Sequence, residues 1–188
     1  QRYQGGAEEV TLPRVTAILD AVGLGPDLSH IYPVTLEVAR ARGTEVHRLI
    51  EADVYGYLDP AEVAPAYAGY LDAWRKFVAE AKFEPIKAEF EVTHKAGQYG
   101  GHPDVMGWRD GRRCIPDCKT GTTEGAEYQV AAYVFAYNDE HPTAKAEVGA
   151  VLEMRENGTY RFTEVDLKAA TQVWLAALVV YRAQKGRA

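Results

Sequence analysis

The run GGHPDVMGWRDGRRCIPDCKTG holds the residue types best suited to chemistry. Asp117 and Lys119 are separated by one residue, and Asp104 precedes them across an Asp110-Gly111 pair. Asp-Gly between apolar-rich stretches is a strong hairpin signal, so Asp104 and Asp117 are expected on neighbouring strands, close together where the register allows. Side chains alternate along a strand, which turns Asp117 and Lys119 to one face and Cys118 to the other. Two carboxylates can bind a hard divalent cation through oxygen and leave positions for water and a phosphate oxygen. Such a cation polarises the phosphate and lowers the pKa of its water. Lys119 would orient or help deprotonate the attacking water and stabilise developing negative charge. Asp-x-Lys alone is common on solvated strand faces. This one follows Ile115 on a strand expected to be packed, where charges without partners are costly.

The elements that must position these residues can be read from periodicity and punctuation. A short helix is expected in TLPRVTAILDAVGL, with Thr11 as cap and Gly23 near the stop. A longer helix is expected over residues 34–55 and another over 65–81. Residues 86–93 alternate as one half-buried strand. Residues 102–108 and 113–119 read as the two strands of the Asp110-Gly111 hairpin. A helix over 124–137 is followed by a second hairpin, 145–155 and 159–165, turning at Asn157-Gly158. A last helix spans 166–184, capped by Asp166. This order predicts a mixed α/β (α+β) fold with a central mixed sheet flanked by helices, in one domain over residues 1–188. Residues 1–85 form its helical N-terminal part and 86–188 its sheet and flanking helices.

The composition fits that picture. The 188 residues are 47% hydrophobic and 26% charged, an ordinary globular balance. Lys plus Arg is 21 and Asp plus Glu is 27, a net charge of −6, which argues against a broad basic nucleic-acid coat. No apolar run approaches the roughly 20 residues of a membrane span. The opening QRYQGGAEEV lacks the apolar stretch of a secretory leader, and without an initiator Met it reads as an excerpt. Cys114 and Cys118 are the only cysteines, too few for a closed zinc or iron–sulfur site. Four residues apart on a strand, they would lie roughly 13 Å apart, too far for a disulfide. Two reduced thiols suit a reducing, cytoplasmic compartment.

Five motifs, in order, resemble the PD-(D/E)XK nucleases, and among them the RecB-like exonucleases. RGTEVHRLIE resembles the family's G-x-x-x-H helix and nominates His47. AEFEV resembles its first strand and nominates Glu89, with Glu91 as the other register. GGHPDVMG resembles the G-x-x-D strand and nominates Asp104. IPDCKTG resembles D-x-K and nominates Asp117 and Lys119. YQVAAY resembles Q-x-x-x-Y and nominates Gln129 and Tyr133. Each motif is weak alone, and five in order are specific. They span roughly residues 13–137.

The resemblance implies a restriction-endonuclease-like core and a metal-dependent deoxyribonuclease, an exonuclease working on single-stranded or duplex DNA ends. One or two Mg²⁺ or Mn²⁺ ions would be held by His47, Asp104, Asp117 and the Cys118 backbone carbonyl. Glu89 would bind a second metal or hold Lys119. Gln129 and Tyr133, four apart on one helix face, would touch substrate or brace the site. Gly43, one turn before His47, would let that helix approach the sheet closely. His102 shares a face with Asp104 and is given no role. The chain lacks the four cysteines that hold an iron–sulfur cluster in some relatives, and it has no helicase motif. It therefore resembles free-standing, phage-type nuclease domains acting in recombination, repair or replication, in a bacterial host cell and with a protein partner from those processes.

Candidate phosphate contacts are Arg40, Arg42 and Arg48 beside His47, and Arg109, Arg112 and Arg113 at the hairpin turn. Arg182, Lys185 and Arg187 form a third group. Tyr32, Tyr55 and Tyr57 are expected to be free for stacking on bases. The alternatives to an exonuclease are an endonuclease or nickase with the same site, and a nucleic-acid-binding module without catalysis. With its acids used as ligands, the chain is expected to bind DNA weakly without metal, since each cation adds positive charge where phosphate arrives.

Overall fold

The computed structural model describes residues 12–186. Thr11 and Arg187 lie outside the described residues. The chain begins with helix α1 (Val15–Ala21), then α2 (Pro33–Tyr55) and α3 (Pro65–Glu80). Pro33 and Pro65 each open a helix, where a missing N–H costs nothing. Gly56 ends α2 in the left-handed conformation. Strands follow: β1 (Glu84–Ala88), β2 (Val92–His94), β3 (Tyr99–Gly101), β4 (Val105–Arg109) and β5 (Arg112–Lys119). Helix α4 (Ala126–Glu140), strands β6 (Val148–Met154) and β7 (Tyr160–Glu164), and helix α5 (Leu167–Lys185) complete the order. Asp166 caps α5 through the Ala169 amide, as the sequence predicts.

The fold is α+β. A five-stranded mixed sheet, in the order β1-β4-β5-β6-β7, is flanked by helices on both faces. β5 and β6 run parallel across the α4 connection, and the other neighbours are antiparallel. Asp110 and Gly111 both take positive φ (53° and 72°), the geometry of a tight two-residue hairpin. One apolar cluster gathers α1, α4 and α5 around Trp174, Tyr99 and Val130. The other gathers α2 and α3 around Trp74, Phe77 and Leu49. Alternation along β5 divides its residues between the two: Ile115 faces the first cluster, while Cys114 and Cys118 face the second.

Two expected strands are broken. Residues 86–93 do not form one strand. β1 ends at Ala88, Glu89 takes a left-handed φ of 45°, and the chain resumes at Val92 in a separate two-stranded sheet with β3. Likewise residues 102–104 lie between β3 and β4 rather than inside a strand. Both breaks fall beside candidate site residues. Among the described residues, no helix is long and apolar enough to cross a membrane.

Candidate active site

The site lies at the end of β5, where both helical layers meet the sheet. Asp104 and Asp117 are the buried charged residues of the described chain, 7% and 1% exposed. Asp104 sits just ahead of β4, and its Oδ2 accepts a hydrogen bond from the Cys118 amide at 2.6 Å. That bond ties the loop before β4 to the end of β5 and brings the two acids together. His47 reaches the same point from α2. Its Nε2 lies 3.0 Å from the Cys118 carbonyl, so the ring donates there and turns Nδ1 inward. Nδ1 stands 3.5 Å from Glu89 Oε1 and 3.5 Å from Asp104 Oδ1.

His47, Glu89 and Asp104 thus present three ligand atoms within 4.8 Å of one another. One imidazole nitrogen and two carboxylate oxygens suit Mg²⁺ or Mn²⁺. Asp117 Oδ2 adds a further observation. It is buried and pairs with Lys119 Nζ at 2.8 Å, which sets an ammonium beside the three ligand atoms. Those three atoms fit a divalent cation. The Cys118 carbonyl, expected as a ligand, lies at the same point and accepts from His47 there.

The electrostatics agree. Burial pushes His47 down, but Asp104, Glu89 and the Cys118 carbonyl outweigh it and hold the imidazole at about 9. Burial holds Asp104 above the usual carboxylate range, and Asp117 adds to the effect. Burial also pushes Lys119 down, yet Asp117 and Asp104 prevail and raise it. Lys119 is thereby held as a cation in the metal-free site, the form that can orient water and offer charge to a phosphate. For His47 the consequence is a pH dependence. A ligand imidazole must be neutral, so below pH 9 a metal displaces a proton from it. Apparent Mn²⁺ affinity is expected to rise by up to about tenfold per pH unit between pH 7 and 9 and to flatten above, as read by calorimetric titration. A flat profile would remove Nδ1 from the ligand set.

Gln129 braces the site from α4. Its side-chain oxygen accepts from Lys119 Nζ at 3.1 Å, while its NH₂ donates to Asp117 Oδ1 at 2.9 Å and to the Tyr133 hydroxyl at 3.0 Å. One amide thereby fixes both members of the Asp117–Lys119 pair by its own two ends. Tyr133 is only 4% exposed, and Gly101 is where its ring needs room that any Cβ would fill. Tyr133 here accepts from Gln129 and so braces it, the second of the two roles expected for this helix face.

Glu89 is held in a strained backbone. A non-glycine residue in the left-handed region costs of order 1–2 kcal/mol and marks a place where surrounding structure dictates conformation. Here the dictating groups are identifiable. The Glu89 amide donates to the Asp104 carbonyl at 2.9 Å. Tyr55, two turns after His47 on the same face of α2, bonds both the amide (3.1 Å) and the carbonyl (3.0 Å) of Ala88. Tyr55 was expected to stack on bases, and it instead anchors the end of β1. Its spacing from His47 is the signal that could have found it. Glu89→Gly is expected to raise the melting free energy by about 1 kcal/mol while removing a carboxylate from the cluster. Thermal melts with and without Mn²⁺ would separate the two effects, and a destabilised metal-free variant would refute the strain.

The basic residues divide. Arg40 and Arg42 line a groove that opens on His47 and Lys119. Arg48 is exposed on α2 and paired with Glu45 at 2.7 Å. Arg109 and Arg112 both pair with Glu164, at 2.6 and 3.3 Å. Arg113 donates to the Ala144 carbonyl and stacks over Trp108. These three lie at the opposite end of β5 from Lys119, about 20 Å away at strand rise. Arg112 and Arg113, expected as contacts to the DNA backbone, therefore stand away from the place of the reacting phosphate. They staple the hairpin to β7 and to the chain before β6. His102 pairs with Glu91 at 3.1 Å on the surface, which takes Glu91 away from the cluster and leaves Glu89 as the acid in register. Gly43 does not bring α2 against the sheet, because a Cβ there would find its nearest neighbour, Thr120 Oγ1, only at 4.0 Å. In a helix interior such a glycine costs about 1 kcal/mol relative to alanine.

No protein-family model matches the chain, and no curated protein matches it. Among solved structures, the crystal structure of SSO0001 is similar at 11% identity and a TM-score of 0.34, over 76% of this chain and 71% of that one.

Proposed function

We propose that the chain is a divalent-metal-dependent deoxyribonuclease of the PD-(D/E)XK, RecB-like type, hydrolysing phosphodiester bonds at DNA ends. The observation that supports this most is the meeting of His47, Glu89 and Asp104 within 4.8 Å, beside the buried Asp117 and its 2.8 Å pairing with Lys119. Residues 71 positions apart in sequence, His47 and Cys118, converge there. A bound Mg²⁺ or Mn²⁺ would polarise a phosphate oxygen and make water a better nucleophile.

The chain's own groups do the rest. Asp104, Glu89 and His47 Nδ1 would hold the cation, with Asp117 paired to Lys119 beside them. Protonated Lys119 offers N–H donors and positive charge to the phosphate as negative charge builds on it. Gln129 fixes that ammonium and Asp117 relative to each other, because it engages both partners at once. The Cys118 thiol takes no part, since burial raises it far from the thiolate and it faces the α2 and α3 side.

The test is cleavage of linear and circular DNA in Mn²⁺, Mg²⁺ and EDTA. The expected result is release of mononucleotides or short fragments from linear DNA, dependent on the metal, with circular DNA resistant. Cleavage of circles would make the chain an endonuclease with the same site. No cleavage with any divalent ion would refute the proposal.

A further inference from the structure

A groove of about 440 Å³ runs from the site along the N-terminal half of α2, between that helix and the loop joining β5 to α4. Its walls are mainly apolar, from Leu28, Ile31, Leu36 and Ala39, and Arg40 and Arg42 stand on it with Lys119 at its inner end. No carboxylate lines it, in a chain whose net charge is −6. Gly43 forms part of the wall, where the space a side chain would occupy is open. Packing does not explain a glycine at the middle of a helix here, whereas a ligand lying against it would.

We propose that this groove seats an unpaired DNA strand leading to the site, with bases against the apolar wall and phosphates toward Arg40 and Arg42. The inference rests on the nuclease reading and names its substrate class. Apolar walls select the single strand. In a duplex the base faces are stacked away, and only phosphates and groove edges meet a protein. Unpaired bases expose their faces and gain by leaving water for an apolar surface. The cationic side chains are too few and too local for a duplex, which needs charge spread along its length. Tyr32, 80% exposed beside the groove's outer end, is available to continue the stack.

The experiment is fluorescence anisotropy of a labelled oligothymidylate and of a duplex of equal length, at low ionic strength in EDTA so that nothing is cut. Wild-type protein is expected to bind the single strand at least tenfold more tightly than the duplex. Gly43→Leu, which places a side chain in the groove, is expected to weaken single-strand binding at least tenfold. Its melting temperature should not fall, and its heat of Mn²⁺ binding should not change. Gly43→Ala, with 4.0 Å of clearance to Thr120, should bind as the wild type and controls for the helix. Arg40→Gln should lower single-strand affinity and flatten its salt dependence by about one unit of slope.

Equal binding of duplex and single strand, or an unchanged affinity for Gly43→Leu, overturns the groove. These failures are separate from failure of the nuclease reading. A wild type that binds oligothymidylate through the groove but cuts nothing keeps the groove and loses the nuclease. A Gly43→Leu variant that binds and cuts single strands as well as the wild type does the reverse.

Discussion

Asp104→Asn is expected to abolish Mn²⁺ binding and to lower DNA cleavage by about 10⁴-fold, equivalent to ~5.5 kcal/mol of barrier at 1.36 kcal/mol per decade. The variant is chosen because it separates folding from chemistry. Asparagine has the volume of aspartate, and its side-chain oxygen can still accept from the Cys118 amide, the 2.6 Å bond that joins the loop to β5. What it loses is charge on the oxygen 3.5 Å from His47 Nδ1. An NH₂ group there would also present hydrogens to the cation. The metal-free variant should melt within about 1 kcal/mol of the wild type, since a buried charge is removed and its hydrogen bond kept. Calorimetric titration with Mn²⁺ and a timed digest of linear DNA are sufficient readouts. Normal binding heat with normal cleavage would take Asp104 out of the site.

Lys119→Met should have the second-largest effect, with a different signature. Turnover is expected to fall by about 10²–10³-fold, the scale of losing one preorganised charged donor to the transition state. Mn²⁺ affinity should be retained, because Lys119 is not a ligand. The metal-free variant should be destabilised by about 3–5 kcal/mol, as removing one partner strands the other, Asp117, which is 1% exposed. Added Mn²⁺ should restore much of that loss by supplying the missing positive charge. Melting curves with and without metal test this, beside kcat. Loss of metal binding would mean that Lys119 shapes the ligand set, and unchanged turnover would mean that it plays no part in the reaction.

Much of the site was legible because its main residues are set by short-range rules. Asp110-Gly111 announces the hairpin, and alternation along β5 then places Asp117 and Lys119 on one face and Cys118 on the other. Residues 34–55 and 65–81 show helical periodicity, and the helices run Pro33–Tyr55 and Pro65–Glu80. The break at Glu89 was not legible. Alternating residues tell which face a side chain takes, but residues 86–93 alternate equally well whether they join one sheet or two. The choice is made by Tyr55 and by the Asp104 carbonyl, from distant parts of the chain.

The distance of the hairpin arginines from Lys119 was hidden for a related reason. Arg112 and Arg113 lie seven and six residues from Lys119, which is close in sequence but a full strand length in space. The burial of Tyr133 was hidden because helical spacing from Gln129 is the same for a tyrosine facing solvent and one facing the core. Its burial follows from the room left at Gly101, which only the tertiary packing reveals.

The sheet's two faces have separate cores, and the site draws on both. His47 comes from the side packed by α2 and α3, while Gln129 comes from the side packed by α4. Neither half can assemble the cation pocket and its brace alone. A substitution that loosens either layer is therefore expected to disturb Asp117 and Lys119, which lie on the strand that both layers share.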